Sequence, residues 1–129
     1  MRGLRAMIAG AGASLLLLAA SPVCTSAAPP LSPLVVDWES YFRLDWQTAQ
    51  ARGRTVVRGT IQNTSTYRAR RIQLLIEGVD TSGAIVNQRV EWLGSDLMPG
   101  DHLFFESPVG GPAASYRVSV FAFDAIRPT

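Results

Sequence analysis

From residue 35 onward the apolar positions recur every second residue. In 41 to 48, Phe42, Leu44 and Trp46 alternate with Arg43, Asp45 and Gln47, the period that sends successive side chains to opposite faces of a strand. Arg52-Gly53-Arg54 supplies a turn, after which Val57, Gly59 and Ile61 alternate with Arg58, Thr60 and Gln62. A polar loop, Asn63-Thr64-Ser65-Thr66, leads to Ile72, Leu74 and Ile76 on one face, with Arg71, Gln73, Leu75 and Glu77 on the other. Asp80-Thr81-Ser82-Gly83 has the Asp-first, Gly-last order of a type I turn. Val86, Val90 and Trp92 mark the next strand, and Pro99-Gly100 turns the chain. Leu103 and Phe105 form a short strand that ends by Gly110-Gly111-Pro112. Tyr116, Val118, Val120 and Ala122 then face the core, with Arg117, Ser119, Phe121 and Phe123 on the opposite face.

The pattern predicts six strands, seven if Val35-Val36 pairs, with turn signals every ~8–12 residues, and therefore an all-β antiparallel sandwich or barrel. No stretch in this region keeps a helical period, and no internal repeat is visible.

The first 34 residues read differently. Arg2 and Arg5 precede an apolar run, Ala6 to Ala20, which Ser21-Pro22 breaks ahead of the small residues Thr25-Ser26-Ala27. That order is a cleavable secretory signal peptide over 1–27. Cys24 offers a lipidation alternative and hence a membrane anchor, but Ser21 and Val23 occupy the positions where a lipoprotein signal wants a Leu-like and a small residue. Residues 28–34 contain Pro29, Pro30 and Pro33 and read as an extended proline-rich linker. The folded domain is expected over 35–129.

Removing the leader changes the electrostatics. All 12 basic residues are Arg, and Arg2 and Arg5 leave with the signal, so the remainder balance the ten Asp and Glu. A near-neutral domain gives no bulk attraction for nucleic acid. The single Cys leaves too, so the fold rests on its apolar core with no disulfide.

Candidate chemistry is sparse. His102 is the lone histidine and, without Cys, makes a poor metal site. No nucleophile elbow of the Gly-x-Ser-x-Gly kind is present. The acidic candidates Asp37, Glu39, Asp96, Asp101 and Glu106 sit at strand ends or turns, where backbone hydrogen bonding accounts for them. The expectation is a non-enzymatic protein with no cofactor and no metal. Arg54, Arg58 and Arg71 share an outward parity and would form an anion-gripping patch if their strands pair. Trp38, Tyr41, Phe121 and Phe123 lie off the core parity, and an outer Phe pair marks either a partner surface or a face covered by the proline-rich segment. Asn63-Thr64-Ser65 matches a glycosylation sequon.

The run Val57-Arg58-Gly59-Thr60-Ile61-Gln62-Asn63, Val79-Asp80 with Gly83 three on, Leu97-Met98-Pro99-Gly100 with Phe105, and Tyr116-Arg117-Val118-Ser119-Val120 together resemble the bacterial FxLyD-type immunoglobulin-like domains. At the position that names the family this chain has Ile76-Glu77-Gly78-Val79 before Asp80. The resemblance implies an immunoglobulin-like accessory module with no catalytic residues. The function expected is thus an exported, periplasmic or extracellular interaction module of the cell envelope, meeting another envelope protein or a second copy of itself. A carbohydrate-binding or lipid-anchored envelope module is the alternative.

Overall fold

Strands form where the alternation is strongest. The computed structural model describes residues 29 to 127, so the expected leader and Cys24 lie outside the described residues. β1 (Phe42–Ala51) and β2 (Arg54–Asn63) make a hairpin around Arg52-Gly53. Both turn residues have positive φ, 53° and 75°, as the two-residue turn that matches strand twist requires. β2 pairs on its other side with β5 (His102–Pro108). β3 (Arg68–Val79) is the centre of a second sheet, between β4 (Ile85–Trp92) and β6 (Ser115–Ile126). Two three-stranded antiparallel sheets result, ordered β1-β2-β5 and β4-β3-β6, an all-β arrangement consistent with a sandwich.

One apolar layer joins the sheets. Phe42, Val57, Ile61 and Phe105 from the first sheet meet Ile72, Leu74, Ile76, Val118 and Val120 from the second, as the alternation predicts. Leu93 and Leu97, in the connection from β4 to β5, close one end of this layer. Asn63 organises that end. Its side chain is fully buried and its amide donates to the Tyr67 and Leu97 carbonyls at 2.7 and 2.9 Å. Its side-chain oxygen accepts from the Ser65 N–H and hydroxyl. The atom a sequon glycan would occupy is therefore engaged inside the fold.

Three features depart from the alternation. Val35-Val36 form no strand; a single 3-10 turn, Trp38–Ser40, follows them instead. β3 carries an extra residue near Arg71, whose φ is 53°, in the left-handed region. β6 carries one at Phe121, since Val120 pairs with Leu74 but Ala122 with Gln73. An extra residue reverses the side-chain phase beyond it. Consequently Phe123, not Ala122, follows Val120 into the core layer.

The outer face of the second sheet is covered. Leu75, Glu77 and Val79 are buried, yet none belongs to the layer between the sheets. The proline-rich segment is hydrogen-bonded across this face. Leu31 donates its N–H to the Gln88 side chain on β4 and accepts from it, both at 2.9 Å. The Leu34 N–H reaches the Phe121 carbonyl on β6 at 2.8 Å. Between those anchors the chain must cross β3, where Leu75 sits opposite Val90 and Ser119. Gln88 also donates to Glu77, which pairs with Arg117 at 3.4 Å, so a polar network ties the strap to all three strands.

Candidate binding site

The inner-facing positions of β1 change character along the strand. Phe42, Leu44 and Trp46 are apolar, whereas Thr48 and Gln50, on the same face, are polar and exposed. The β5–β6 connection opposite is built of small residues, Pro112, Ala113 and Ala114, before Ser115 and Tyr116. Between Trp46 at one side and Tyr116 at the other, these polar and small residues leave the space open. It forms a cleft of about 820 Å³ lined by Trp46 to Gln50, Thr55, and Pro112 to Tyr116, within the size range of ligand sites.

None of the lining residues carries a formal charge. The Tyr116 hydroxyl donates to the Gly111 carbonyl at 2.8 Å, which fixes the ring beside the cleft. Gln50 donates to Thr55 at 3.0 Å across the hairpin. Trp46 also borders a smaller hollow of about 320 Å³ on the outer face, with Phe104, Arg58 and Asp45. Gly59 faces Trp46 in the ladder, and a Cβ there would lie 2.0 Å from the Asp45 carbonyl oxygen. Only glycine permits this approach of β1 and β2.

The main chain of β1 is itself part of the site. The two-residue turn closes on the Ala51–Arg54 pair, which exchanges both hydrogen bonds. Counting back by twos along an uninterrupted register, Ala49, Gln47, Asp45 and Arg43 bond to β2. The N–H and C=O groups of Gln50, Thr48, Trp46, Leu44 and Phe42 therefore point away from β2, along an edge that no other described strand pairs with, although Phe42 itself is buried. The Asn63 N–H, opposite Phe42, bonds to Asp101 on the far side, in agreement.

The residues singled out from sequence do not gather at one place. Arg58 lies on the outer face of the first sheet and pairs with Glu106 at 3.1 Å. Arg71 lies in the second sheet and pairs with Asp124 at 3.5 Å. Arg54 sits at the turn end of the β1–β2 hairpin, beside Pro108, Val109 and Tyr116. Since β2 and β3 belong to different sheets, the expected Arg patch is not assembled. Arg68 and Arg70 share Asp96 at 2.9 and 3.7 Å.

The aromatic group is also redistributed. Phe123 meets Phe42 edge-on at 4.8 Å and Tyr41 at 5.0 Å. Trp38 and Tyr41, expected off the core, pack against the central layer as well. Phe121 is half-buried at the β6 bulge, its carbonyl held by the strap. The exposed aromatics are instead Phe104, 63% exposed on the outer face of the first sheet, and Trp92 on β4. His102 is exposed. Among the described residues no group of three or more His, Cys, Asp and Glu is placed to hold a metal ion.

Sequence reasoning missed the cleft. Its signal was present in Thr48 and Gln50, polar residues on an apolar parity, and in the small-residue run before β6. Comparison with protein-family models, curated proteins and solved structures found no match to this chain.

Proposed function

We propose that the protein is an exported, immunoglobulin-like, non-catalytic module that binds an extended polypeptide segment in the cleft beside β1. The observation that carries this is the open main-chain edge at Trp46, Thr48 and Gln50, set in an uncharged cleft. Unpaired strand edges recognise polypeptide through its backbone, and neighbouring pockets then read its side chains. The lining holds no carboxylate, histidine or cysteine, which favours binding over acid–base or nucleophilic chemistry.

The sheet order supports the immunoglobulin-like assignment. β1, β2 and β5 stand as strands A, B and E, and β4, β3 and β6 as C′, C and F. In such a sandwich the far edge of F receives a strand G, and the cleft touches that edge at Ser115 and Tyr116. Export rests on the leader read over residues 1 to 27. The elements that resemble FxLyD-type domains agree with an envelope accessory role.

A second reading has its own observation. Trp46 and Tyr116 flank the cleft among Gln, Thr and Ser side chains, a set that would take a neutral oligosaccharide by stacking and hydrogen bonds.

One experiment separates the two. Peptide and neutral-glycan arrays are probed with the protein and with its Thr48→Pro and Trp46→Ala variants. Pro at position 48 removes an N–H that faces the cleft and no bond to β2, a substitution edge strands tolerate. Peptide hits that vanish with Thr48→Pro support strand addition. Glycan hits that survive Thr48→Pro and vanish with Trp46→Ala support the second reading. No hit of either class overturns both.

A further inference from the structure

We infer that the cleft takes the free C-terminal end of a polypeptide, its terminal carboxylate held by Arg54 and its chain running parallel to β1. This rests on the cleft reading and adds to it the direction of the bound segment and the end by which it is recognised.

Charge at the cleft is one-sided. Seven of the described arginines pair with a carboxylate. Arg52, Arg54 and Arg127 have no such partner among the described residues. Of these three, Arg54 lines a hollow of about 320 Å³ whose wall includes Thr55, Pro112 and Tyr116. The same Thr55, Pro112 and Tyr116 line the cleft, so the hollow continues the cleft beyond Gln50. Neither space is lined by Asp or Glu. A guanidinium at the end of an otherwise uncharged cleft, with no carboxylate of its own, is complementary to an anion that the ligand brings.

Thr55 supplies a second donor. Its hydroxyl accepts from the Gln50 amide at 3.0 Å. Its own proton has no acceptor among the described residues, which leaves it for an incoming oxygen. The Tyr116 hydroxyl is committed to the Gly111 carbonyl, so its ring serves only as a wall. Two donors lining one hollow suit the two oxygens of a carboxylate.

Position then decides direction. β1 leads from Phe42, which meets Phe123 of β6, to Gln50, which lines the cleft with Tyr116. The two strands therefore run in opposite directions. The outward N–H and C=O groups of Trp46, Thr48 and Gln50 serve a partner strand of either direction, and charge separates the two. A segment antiparallel to β1 brings its N-terminal side to Arg54, where a free amine meets like charge. A segment parallel to β1, and so antiparallel to β6, brings its C-terminal side there. β1 ends at Ala51, so the ladder stops where the hollow begins. A chain that ends at this point uses the edge to its last bond and closes it with the carboxylate.

The test screens the processed protein against two displayed libraries of the same random peptides, one with free C-termini and one tethered through the C-terminus. Loss of binding with Thr48→Pro identifies the peptides held along β1, and these are expected from the free C-terminus library. Resynthesised as C-terminal amides, they should bind about fivefold or more weakly, and Arg54→Gln should cost the free acid a similar factor. The two losses should not add, because both remove one contact. Arg54 is exposed, so the variant should melt like wild type. Equal capture from both libraries overturns the inference, as do acid and amide forms that bind alike, or losses that add. So do amides ending in a Glu or Asp residue that bind as tightly as the free acid, since Arg54 then reads an acidic side chain. In each of these cases the cleft reading stands, because the peptides remain sensitive to Thr48→Pro. If no peptide shows that sensitivity, the cleft reading falls and this inference falls with it.

Discussion

Deleting residues 29 to 33 should expose a buried leucine on the outside of the second sheet, and the cost can be worked from the structure. Leu75 has no solvent exposure, yet lies outside the layer between the sheets. The strap anchored at Gln88 and Phe121 runs across the face that Leu75 occupies. Exposing a fully buried leucine costs about 1.5–3 kcal/mol of hydrophobic stabilisation. Leu75→Ala in the intact chain should cost about 2–5 kcal/mol, the usual span for removing a buried leucine side chain. Combining the two changes should cost much less than their sum, because once the strap is gone the leucine has little left to lose. A coupling of at least about 1.5 kcal/mol is expected, well above the ~0.5 kcal/mol scatter of independent sites. Urea denaturation of the four proteins measures it, and in a domain of this size each kcal/mol should move Tm by about 4–8 °C. If Leu75→Ala costs the same with and without residues 29 to 33, the strap does not cover it and the burial has another origin.

Two further outcomes follow from single side chains. Asn63→Ala strips the partners from the buried Tyr67 and Leu97 carbonyls and should cost about 3 kcal/mol or more, read by urea denaturation; a loss below about 1 kcal/mol would mean the end of the core repacks without it. Asp80 has its carboxyl held below the ordinary 3.8, chiefly by the Ser82 hydroxyl and then by the Ala84 N–H. A depressed folded value means this stabilisation is present above the ordinary value and fades as pH falls through the lower one. An NMR titration of the Asp80 carboxyl should therefore show a midpoint under 3.8, and a midpoint at or above that value refutes the turn geometry.

The strands were legible because burial imposes period two on them, and the inner set Phe42, Val57, Ile61, Ile72, Leu74, Ile76, Val118 and Val120 follows directly from it. The bulges were not legible. At Phe121 the apolar residues run Val118, Val120, Phe121, Ala122, Phe123, a stretch in which either phase offers an apolar side chain. Periodicity is silent when both faces are apolar, and only pairing against Leu74 and Gln73 decides the phase. The same ambiguity hid Leu75, an apolar residue on the outer parity whose partner lies some forty positions away in sequence.

The candidate surface was misread for a different reason, and one side chain explains it. Parity tells which face a residue occupies within its own sheet but not which strands share that sheet. The link between β2 and β3 spans residues 64 to 67, and that between β3 and β4 spans 80 to 84. By length both are hairpins, and a shared patch of Arg58 and Arg71 follows if both are. Asn63 makes the first link a crossing instead. Its backbone N–H and C=O are taken by Asp101 and Gly100, which keeps β2 in the first sheet to its last residue. Its side chain meanwhile holds the Tyr67 and Leu97 carbonyls, which starts β3 in the second. An asparagine in a polar loop reads as turn chemistry, but fully buried and bonded on both sides it sends the two arginines to opposite sheets. The recognition surface proposed for the cleft is then an edge rather than a face, and edges are set by which strands lack neighbours, a property of the assembled topology that alternation within a strand does not encode.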